Sequence, residues 1–596
     1  MRTSIATVSL SGSLTEKLTA ASRAGFDGVE IFENDLLAGP LSPREIRARC
    51  ADLGLTVDLY QPVRDIEAVP ADEFARNLRR ARHKFELMGE LGADTVLVCS
   101  SVSPLGIDDD DLAAEQLSQL ATLAQESGIR VAYEALAWGR HVSTYDHAWR
   151  IVEAADHPAL GTCLDSFHIL SRGSDPKGIE AIPGEKIFFL QLADAPSLAM
   201  DVLQWSRHHR CFPGQGGFDV AGLVRHVLRT GYDGPLSLEV FNDVFRQAEA
   251  GPTAVDAHRS LLVLKEATGV GELPTSVVPT GVAFAELVTP DAEPVCALLG
   301  ALGFARTARH HSKPVDLWER GEARILVNTG PAARRDGTRL AAIGLESPDP
   351  RAAARRAEAL LAPVLPRRRG PKDATLDAVA APDGTELFFC ATGRGPELPD
   401  WRGDFVGTSD APQPDPARID HLALTQPWHQ YDEATLFHRS VLGLHAQESV
   451  DVADPYGLLR SRAVTNADGS VRIALGVGAA PADDTLHAQH IALATDDVVA
   501  AARAFRAAGG NPLPIPANYY DDLAARYEFA DGELETYRSL GILYDRDAGG
   551  AFRHWYTRTV GRVFFELVER DPGYRGYGAA NAPVRLAAQH AGRPAR

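Results

Sequence analysis

The sequence predicts an α/β barrel followed by an α+β domain, and three observations support this fold class. Through the first 272 residues, short runs rich in β-branched and aromatic residues alternate with amphipathic segments, as in parallel strands joined by helices. A segment rich in glycine, proline and threonine follows. Beyond it, similar strand starts recur, which indicates a repeated unit. A chain of 596 residues is also too long for one hydrophobic core.

The first region contains eight predicted strands, the number in a closed (β/α)8 TIM barrel. An open doubly wound sheet is the alternative, but no GxGxxG motif follows the first strand. The predicted strands are Ser4–Leu10, Gly28–Phe32, Val57–Gln61, Thr95–Ser100, Arg130–Leu136, Gly161–Asp165, Ile187–Ala193 and Pro235–Phe241.

Each of the last four predicted strands carries an oxygen-bearing side chain near its C-terminal end, where the active site of such a barrel lies. Carboxylates are costly to bury together without a cation, although each could instead belong to a separate ion pair. Donors that are all oxygen favour Mg2+ or Mn2+, with Co2+ as a further candidate, over Zn2+ or Cu2+. The predicted metal ligands are Glu134, Asp165, Gln191 and Glu239.

Three segments carry a resemblance to a known family: Tyr133–His141, Asp165–His168 and Gln204–Arg210. They resemble the two-domain bacterial 3-dehydroshikimate dehydratases, whose barrel is of the sugar-phosphate isomerase/epimerase type. Gln191 departs from the commoner pattern of those barrels, in which the third ligand is His. The resemblance implies dehydration of 3-dehydroshikimate, a small anionic substrate, to protocatechuate in quinate and shikimate catabolism.

The implied chemistry begins with proton transfer. A metal-bound C3 ketone stabilises the enolate formed when the C4 proton leaves, and loss of the C5 hydroxyl then leads to an aromatic ring. His168 lies three residues past Asp165 and should face the same barrel mouth. Because imidazole titrates near neutrality, His168 is the predicted general base. A histidine that only braces a metal ligand is the alternative.

The substrate carboxylate requires a positive partner in an acidic protein. Arginine can bind a carboxylate with two hydrogen bonds, and arginines occur in the loops after the third and seventh strands. Arg64, Ser206 and Arg210 are therefore the predicted substrate-binding residues. Arg207 is predicted to be solvated surface.

The sequence predicts a barrel domain at residues 1–272, a linker at 273–280 and a second domain at 281–596. The second domain is predicted to be duplicated, with halves at 281–415 and 416–596. Repeated starts occur at Gly281, Ala341, Asp420 and Gln489.

Two of these starts carry a histidine, and a carboxylate follows later in the chain. His421, His490 and Glu566 are separated by 69 and 76 residues (490 − 421 and 566 − 490), consistent with equivalent strands. Two histidines and a carboxylate form the ligand set of non-heme Fe(II) oxygenases. The first half lacks equivalent histidines, which predicts a structural role for it.

The second region resembles 4-hydroxyphenylpyruvate dioxygenase, a vicinal oxygen chelate fold. Asp420-His421, Gln489–Val498, Gly541–Asp547 and Phe565-Glu566 carry this resemblance. It implies a second divalent metal, Mg2+ or Fe2+. The segment Arg553–Tyr556 replaces the glutamine and apolar pair that the dioxygenases usually have, so we expect no activity on 4-hydroxyphenylpyruvate.

Composition limits the partners. The formal net charge of −20 argues against binding nucleic acid or anionic membranes. No run of 18 apolar residues and no signal peptide occur, which predicts a cytoplasmic protein. The six cysteines form no CxxC pair and are predicted to be reduced. The sequence leaves open whether the chain forms a homo-oligomer.

Three alternative functions remain at this stage. The barrel could isomerise or epimerise a sugar, since enolisation beside a metal-bound carbonyl is shared chemistry. The C-terminal half could be the working enzyme, an Fe(II)-dependent dioxygenase with the barrel as scaffold. That half could also serve dimerisation or regulation without catalysis.

Overall fold

The chain folds into two compact units, Met1–Leu273 and Pro274–Arg596, in a computed structural model. The structure describes residues 1–331, 337–366, 373–394, 400–407, 416–455, 457–478 and 488–591. Residue 415, at the predicted boundary of the two halves of the second domain, lies outside these residues. No helix within them is long and apolar enough to cross a membrane, and the cytoplasmic location stays a prediction.

The first unit is the predicted closed barrel. Each strand is parallel to the next, and β1 also pairs with β8, which closes the sheet. All eight predicted strands are present, although several, above all the first and the eighth, are shorter than predicted. The strands are β1 Thr3–Ala6, β2 Gly28–Phe32, β3 Thr56–Arg64, β4 Thr95–Cys99, β5 Arg130–Glu134, β6 Leu160–Asp165, β7 Ile187–Leu192 and β8 Leu236–Leu238.

The helices around the barrel follow from apolar spacing and capping residues. Val220, Leu223, Val224 and Val227 are buried at helical spacing, and Asp219 accepts a hydrogen bond at the helix N-terminus. The helices are α1 Leu14–Ala24, α2 Glu33–Leu37, α3 Pro43–Asp52, α4 Ala71–Leu91, α5 Asp110–Glu126, α6 Tyr145–Ala155, α7 Ser166–Ser171, α8 Val202–His208, α9 Val220–Arg229 and α10 Ala250–Thr268. Short 3₁₀ helices span Thr7–Ser9, Pro176–Ala181 and Gly184–Lys186.

The second unit is the predicted α+β domain and contains two sheets. The first has the order β14-β15-β13-β9-β12-β11-β10-β16, and the second β18-β20-β21-β17-β22-β25-β24-β23, with β19 paired to β20. The strands are β9 Gly281–Val288, β10 Ala305–His310, β11 Val315–Arg320, β12 Ala323–Asn328, β13 Arg339–Glu346, β14 Ala378–Ala380, β15 Glu386–Cys390, β16 Phe405–Gly407, β17 Ile419–Thr425, β18 His445–Ala446, β19 Val450–Asp454, β20 Gly457–Thr465, β21 Arg472–Gly478, β22 Gln489–Ala494, β23 Leu543–Asp547, β24 Gly550–Tyr556 and β25 Val563–Arg570.

The two sheets share a pattern that agrees with duplication. Strand β9 pairs antiparallel with β13 in the first sheet, and β17 pairs antiparallel with β22 in the second. The four repeated starts lie in these four strands. The helices that the structure describes in this unit are α11 Glu293–Ala301, α12 Pro350–Ala359, α13 Tyr431–Leu442, α14 Val498–Ala507, α15 Ala517–Arg526, α16 Glu533–Leu540 and α17 Ala582–Ala591, with 3₁₀ turns at Trp401–Asp404 and Ala579–Asn581.

Candidate active site and metal sites

The four predicted barrel ligands lie at the C-terminal end of the barrel. Glu134 ends β5, Asp165 ends β6, Gln191 lies in β7 and Glu239 directly follows β8. Adjacent strands place Asp165 beside Gln191 in register, and all four residues are at most 5% exposed. Glu134, Asp165 and His168 each offer a ligand atom within 4.8 Å of the others. The barrel topology therefore places the four predicted residues at the same end of the barrel, and the close group contains Glu134 and Asp165 together with His168.

Arg210 lies among these carboxylates. Its Nη1 donates to Asp165 Oδ2 at 2.8 Å and to Glu239 Oε2 at 3.1 Å. Its Nε and Nη2 donate to Ser206 Oγ at 3.2 and 2.8 Å, and Nη2 is 3.3 Å from His168 Nε2. All three guanidinium nitrogens therefore already have acceptors, and the side chain is 1% exposed.

The charges of the cluster fit a divalent cation. Burial, and then the charges of Asp165 and Glu239, raise the pKa of Glu134 well above its ordinary value, and burial also raises the pKa of Glu239. Burial opposes ionisation of Asp165 as well, but Arg210 holds its pKa below the usual range. Glu134 Oε1 is buried without a hydrogen-bond partner. Three carboxylates around one guanidinium are the surroundings that a divalent cation would balance.

Glu30 is a buried acid in contact with a predicted ligand, and the sequence reasoning missed it. It lies in β2, is fully buried, and its Oε2 accepts hydrogen bonds from Gln61 Nε2 at 2.9 Å and Gln191 Nε2 at 2.6 Å. Ser237 Oγ donates to its other oxygen. Burial and the charge of Glu239 raise the pKa of Glu30 well above its ordinary value. Because Glu30 holds the amide nitrogen of Gln191, it fixes which way the amide oxygen points. A lone acid in the apolar run GVEIF was the available signal.

Two of the cysteines that were predicted to be reduced also contact the predicted metal ligands. Cys99 Sγ donates to Glu134 Oε2 at 3.3 Å, and Cys163 Sγ donates to Gln191 Oε1 at 3.5 Å. Both thiols are fully buried, and burial raises their pKa values well above the ordinary value. They are therefore neutral thiols, and they pack in the barrel interior beneath the site.

His168 faces the cluster, as predicted from its place after β6. Burial lowers its pKa to about 3, so the ring is uncharged at neutral pH. Its Nδ1 accepts from the backbone N–H of Ala137 at 3.1 Å. Arg210 Nη2, which can only donate, lies 3.3 Å from Nε2. A neutral imidazole has one lone pair, so it can accept from only one of these two donors at a time.

One small cavity is lined by all three predicted carboxylate-binding residues, Arg64, Ser206 and Arg210. Glu134, His168 and Glu239 line the same cavity. Arg207, expected at the solvated surface, is half-buried in this lining, with its guanidinium 5.3 Å from the Phe241 ring centroid. In the described part of the chain, the Arg64 side chain has no acidic partner within ion-pair distance.

The second unit brings together His421, His490 and Glu566. Glu566 Oε2 lies 3.1 Å from both His421 Nε2 and His490 Nε2, and the two nitrogens are 3.2 Å apart. The three residues lie on adjacent strands β17, β22 and β25 of the second sheet. Ala492 is paired in register with both His421 and Glu566, and its small side chain leaves space between them.

Outer hydrogen bonds orient two of these three residues. Asp420 Oδ1 lies 2.8 Å from His421 Nδ1 and accepts from Arg570 Nη2 at 2.8 Å. The Glu566 Oε1 atom lies 2.6 Å from His554 Nδ1. Asn581 Nδ2 lies 2.9 Å from His554 Nε2 and can donate to it, which leaves the His554 proton on Nδ1 for Glu566. Metal-binding residues in proteins are typically held by such partners.

The charges of this triad also fit a metal. Despite burial, Glu566 and Asp420 raise the pKa of His421, whereas burial lowers the pKa of His490 to about 4. His421 and the hydrogen bonds from the other histidines hold the pKa of Glu566 well below its usual range. A metal binds the unprotonated form of a histidine, so metal binding would compete with protonation of His421.

The segment Arg553–Tyr556, which replaces the glutamine and apolar pair usual in the dioxygenases, directs its side chains to different places. His554 points at Glu566 and is fully buried, so it supports a triad residue. Trp555 lies on the other face of β24, where its ring packs 4.9 Å from that of Phe505. Of the three, only Tyr556 lines the cavity next to His490.

A third group, His310, His311 and Asp373, also lies within metal-binding distances. Lys313 Nζ is already 3.0 Å from Asp373 Oδ2, and His311 Nε2 is 3.2 Å from its other oxygen. The cationic lysine offsets the charge that a metal would need, so this group is best explained as an ion-pair cluster.

Comparison with known proteins agrees with this division of the chain. Residues 18–266 match the model of the xylose isomerase-like TIM barrel. Residues 274–392 match the N-terminal hydroxyphenylpyruvate dioxygenase model, and residues 418–533 match the glyoxalase/bleomycin resistance protein/dioxygenase superfamily. The chain is 46% identical to a 3-dehydroshikimate dehydratase of Pseudomonas putida, over 99% of this chain and 98% of that protein. The chain belongs to the 3-dehydroshikimate dehydratase family.

A solved structure and a second relative extend this result. A xylose isomerase-like TIM barrel/4-hydroxyphenylpyruvate dioxygenase fusion protein aligns over 100% of both chains, with a TM-score of 0.90 and 43% identity. A 4-hydroxyphenylpyruvate dioxygenase of Pseudomonas aeruginosa is 27% identical over 50% of this chain and 90% of its own length. This chain therefore joins a barrel to a dioxygenase-like unit, as the fusion protein does.

Proposed function

We propose that the barrel converts 3-dehydroshikimate to protocatechuate and water at the Glu134, Asp165, Gln191 and Glu239 cluster. Membership of the dehydratase family over nearly the whole chain carries this proposal. The buried carboxylates at the barrel mouth support it, because they provide the surroundings for a divalent cation. Sugar isomerisation and a dioxygenase with an inert barrel are less supported by the full-length relatives.

We assign the cation as Mg2+ or Mn2+, with Co2+ as a substitute, because every predicted ligand offers oxygen. When bound, it supplies Lewis-acid polarisation of the substrate C3 carbonyl, which acidifies C4. Glu30 holds Gln191 in position for this ion, and Arg210 keeps Asp165 ionised. For the second unit, Mg2+ or Fe2+ suits His421, His490 and Glu566.

His168 is the proposed proton carrier. It removes the C4 proton and returns it to the departing C5 hydroxyl, so that water leaves. The substrate carboxylate binds Arg64, with Ser206 and Arg207 beside it, because the donors of Arg210 are already engaged by Asp165, Glu239 and Ser206.

The test is incubation of the purified chain with 3-dehydroshikimate, with and without divalent metal, monitored by ultraviolet absorbance. We expect metal-dependent appearance of an aromatic product. A sugar isomerase or epimerase would give no aromatic absorbance. Full activity in a demonstrably metal-free sample would refute the metal site while leaving the reaction intact.

A further inference from the structure

A large cavity in the second unit concentrates positive charge in an acidic protein. It has a volume of about 1230 Å3 and is bordered by β17, β20, β21, β24 and α17. Its described lining contains three arginines and two histidines but no aspartate or glutamate, although the chain as a whole carries 80 acidic and 60 basic residues. The arginines are Arg558, Arg562 and Arg585. This distribution favours an anionic ligand.

Arg585 is the arginine best placed to bind that anion. It lies in α17, with its guanidinium 5.8 Å from the Tyr556 ring centroid and 5.4 Å from that of Phe564. Its Nη1 donates to the neutral Gln589 side chain at 2.9 Å. Among the described residues it forms no ion pair with an acid. A half-buried guanidinium held by aromatic rings is preorganised for a carboxylate.

The triad borders the same cavity through His490. His421 and Glu566 lie behind it, each 1% exposed, whereas the His490 side chain is 11% exposed. Two histidines and one carboxylate leave coordination positions open, and adjacent oxygens on one ligand can occupy two of them. The remaining walls include Tyr577, Pro514 and Leu586, which suit a flat ring.

We infer that this cavity binds an aromatic carboxylate with two adjacent hydroxyl groups, of the kind that the barrel is proposed to release. The carboxylate pairs with Arg585, and the two hydroxyl oxygens face His490. This assignment rests on the proposed barrel function only for the identity of the ligand. It gives the second unit a binding role for 3,4-dihydroxybenzoate that requires no oxygen chemistry.

The direct test is calorimetric titration of the full chain, loaded with Mg2+, with 3,4-dihydroxybenzoate. We expect an Arg585-dependent binding event: Arg585→Met, which keeps the alkyl packing, should weaken it by about 10- to 100-fold. His490→Ala should remove the same event. The matched control is Arg526→Met, since Arg526 also lies over a tyrosine ring, that of Tyr527, but outside the cavity lining. Wild-type affinity in both cavity variants would overturn the inference.

Fragments of the ligand test the contribution of the carboxylate and that of the adjacent hydroxyls separately. Benzoate offers only the carboxylate and catechol only the adjacent hydroxyls, so each should bind at least about 10-fold more weakly than the complete ligand. Equal binding of benzoate would contradict the role of the hydroxyls. 3-Dehydroshikimate is tested on a Glu134→Gln chain, which does not turn it over. It should bind the Arg585-dependent site more weakly than 3,4-dihydroxybenzoate does in a competition titration. Stronger binding of 3-dehydroshikimate would reassign the cavity to the substrate.

Unfolding of the cavity variants is checked by circular dichroism, and their affinity is then measured by equilibrium dialysis at a temperature below the melting transition. Failure of the proposed barrel function and failure of this binding inference give different results. If only the barrel function fails, the wild-type chain produces no aromatic product, while the Arg585-dependent binding of added 3,4-dihydroxybenzoate persists.

Discussion

The barrel site and the triad of the second unit both bring buried acids together, but they stabilise them differently. In the barrel, Glu134 and Glu239 have raised pKa values, and Arg210 is the guanidinium paired with the cluster. In the second unit, Glu566 has a lowered pKa because His421, His490 and His554 surround it. Burial thus disfavours ionisation of the barrel acids Glu134 and Glu239, whereas the histidines around Glu566 favour its ionised form.

We therefore expect the barrel site to depend on a bound cation more strongly than the triad does. Removing positive charge from the barrel should affect chemistry strongly, since three carboxylates repel one another there. At the triad, a divalent metal that replaces a proton of His421 raises the net charge of the site by one unit. Outer hydrogen bonds, from Glu30 in one site and from Asp420 and His554 in the other, orient the side chains in both.

The largest expected effect is loss of dehydration when the barrel cation is removed. Chelation, Glu134→Ala and Glu239→Ala should each lower turnover by about 1000-fold or more, because the carbonyl is no longer polarised. Added Mg2+, Mn2+ or Co2+ should restore the chelated wild type but neither variant. Absorbance of the aromatic product measures this, and rapid turnover by a metal-depleted sample would contradict it.

The second effect concerns His168. His168→Ala should lower kcat by roughly 100-fold or more, since general acid–base catalysis contributes about that factor. Metal content, measured by mass spectrometry, should be unchanged. Loss of bound metal would instead make His168 a ligand, an alternative left open by its position within 4.8 Å of Glu134 and Asp165.

A smaller effect should follow from Glu30→Gln. The new amide still occupies the site but presents one acceptor fewer to Gln191, Gln61 and Ser237, so metal affinity should fall by about 10- to 100-fold. Mg2+ titration of activity measures it, and saturating metal should restore much of kcat. An unchanged Mg2+ dependence would limit Glu30 to a packing role.

Arg64 and Arg210 can be separated by steady-state kinetics. Arg64→Ala should mainly raise KM, because a carboxylate is bound similarly in the ground and transition states. Arg210→Ala should mainly lower kcat and metal affinity, because Arg210 pairs with Asp165 and Glu239. The reverse pattern would return the substrate carboxylate to Arg210.

The smallest expected effect lies in the second unit. His421→Ala and His490→Ala should remove its bound metal but change the dehydration rate by less than about 2-fold, because all the proposed dehydration residues belong to the first unit. The Fe2+-loaded chain should take up no oxygen with 4-hydroxyphenylpyruvate, measured with an oxygen electrode. Formation of homogentisate would make the protein a bifunctional enzyme.

The barrel, the repeated second unit and the positions of the chemically unusual side chains could be predicted from the sequence. Short β-branched runs and helical spacings identify elements locally, and in a parallel barrel the strand ends must converge, so Glu134, Asp165, Gln191 and Glu239 could be grouped from the sequence alone. The histidines at equivalent strand starts identified His421 and His490 for the same reason.

The hydrogen-bond partners of those side chains could not be predicted from the sequence and are seen only in the folded chain. Glu30 and Gln191 are 161 positions apart, and Asn581 and His554 meet through packing that no local pattern encodes. In the folded chain, Arg210 donates hydrogen bonds to carboxylates of predicted metal ligands, and His554 faces Glu566. Hydrogen-bond directions and charge balance depend on distances between strands and loops remote in sequence, so they become defined only when the chain has folded.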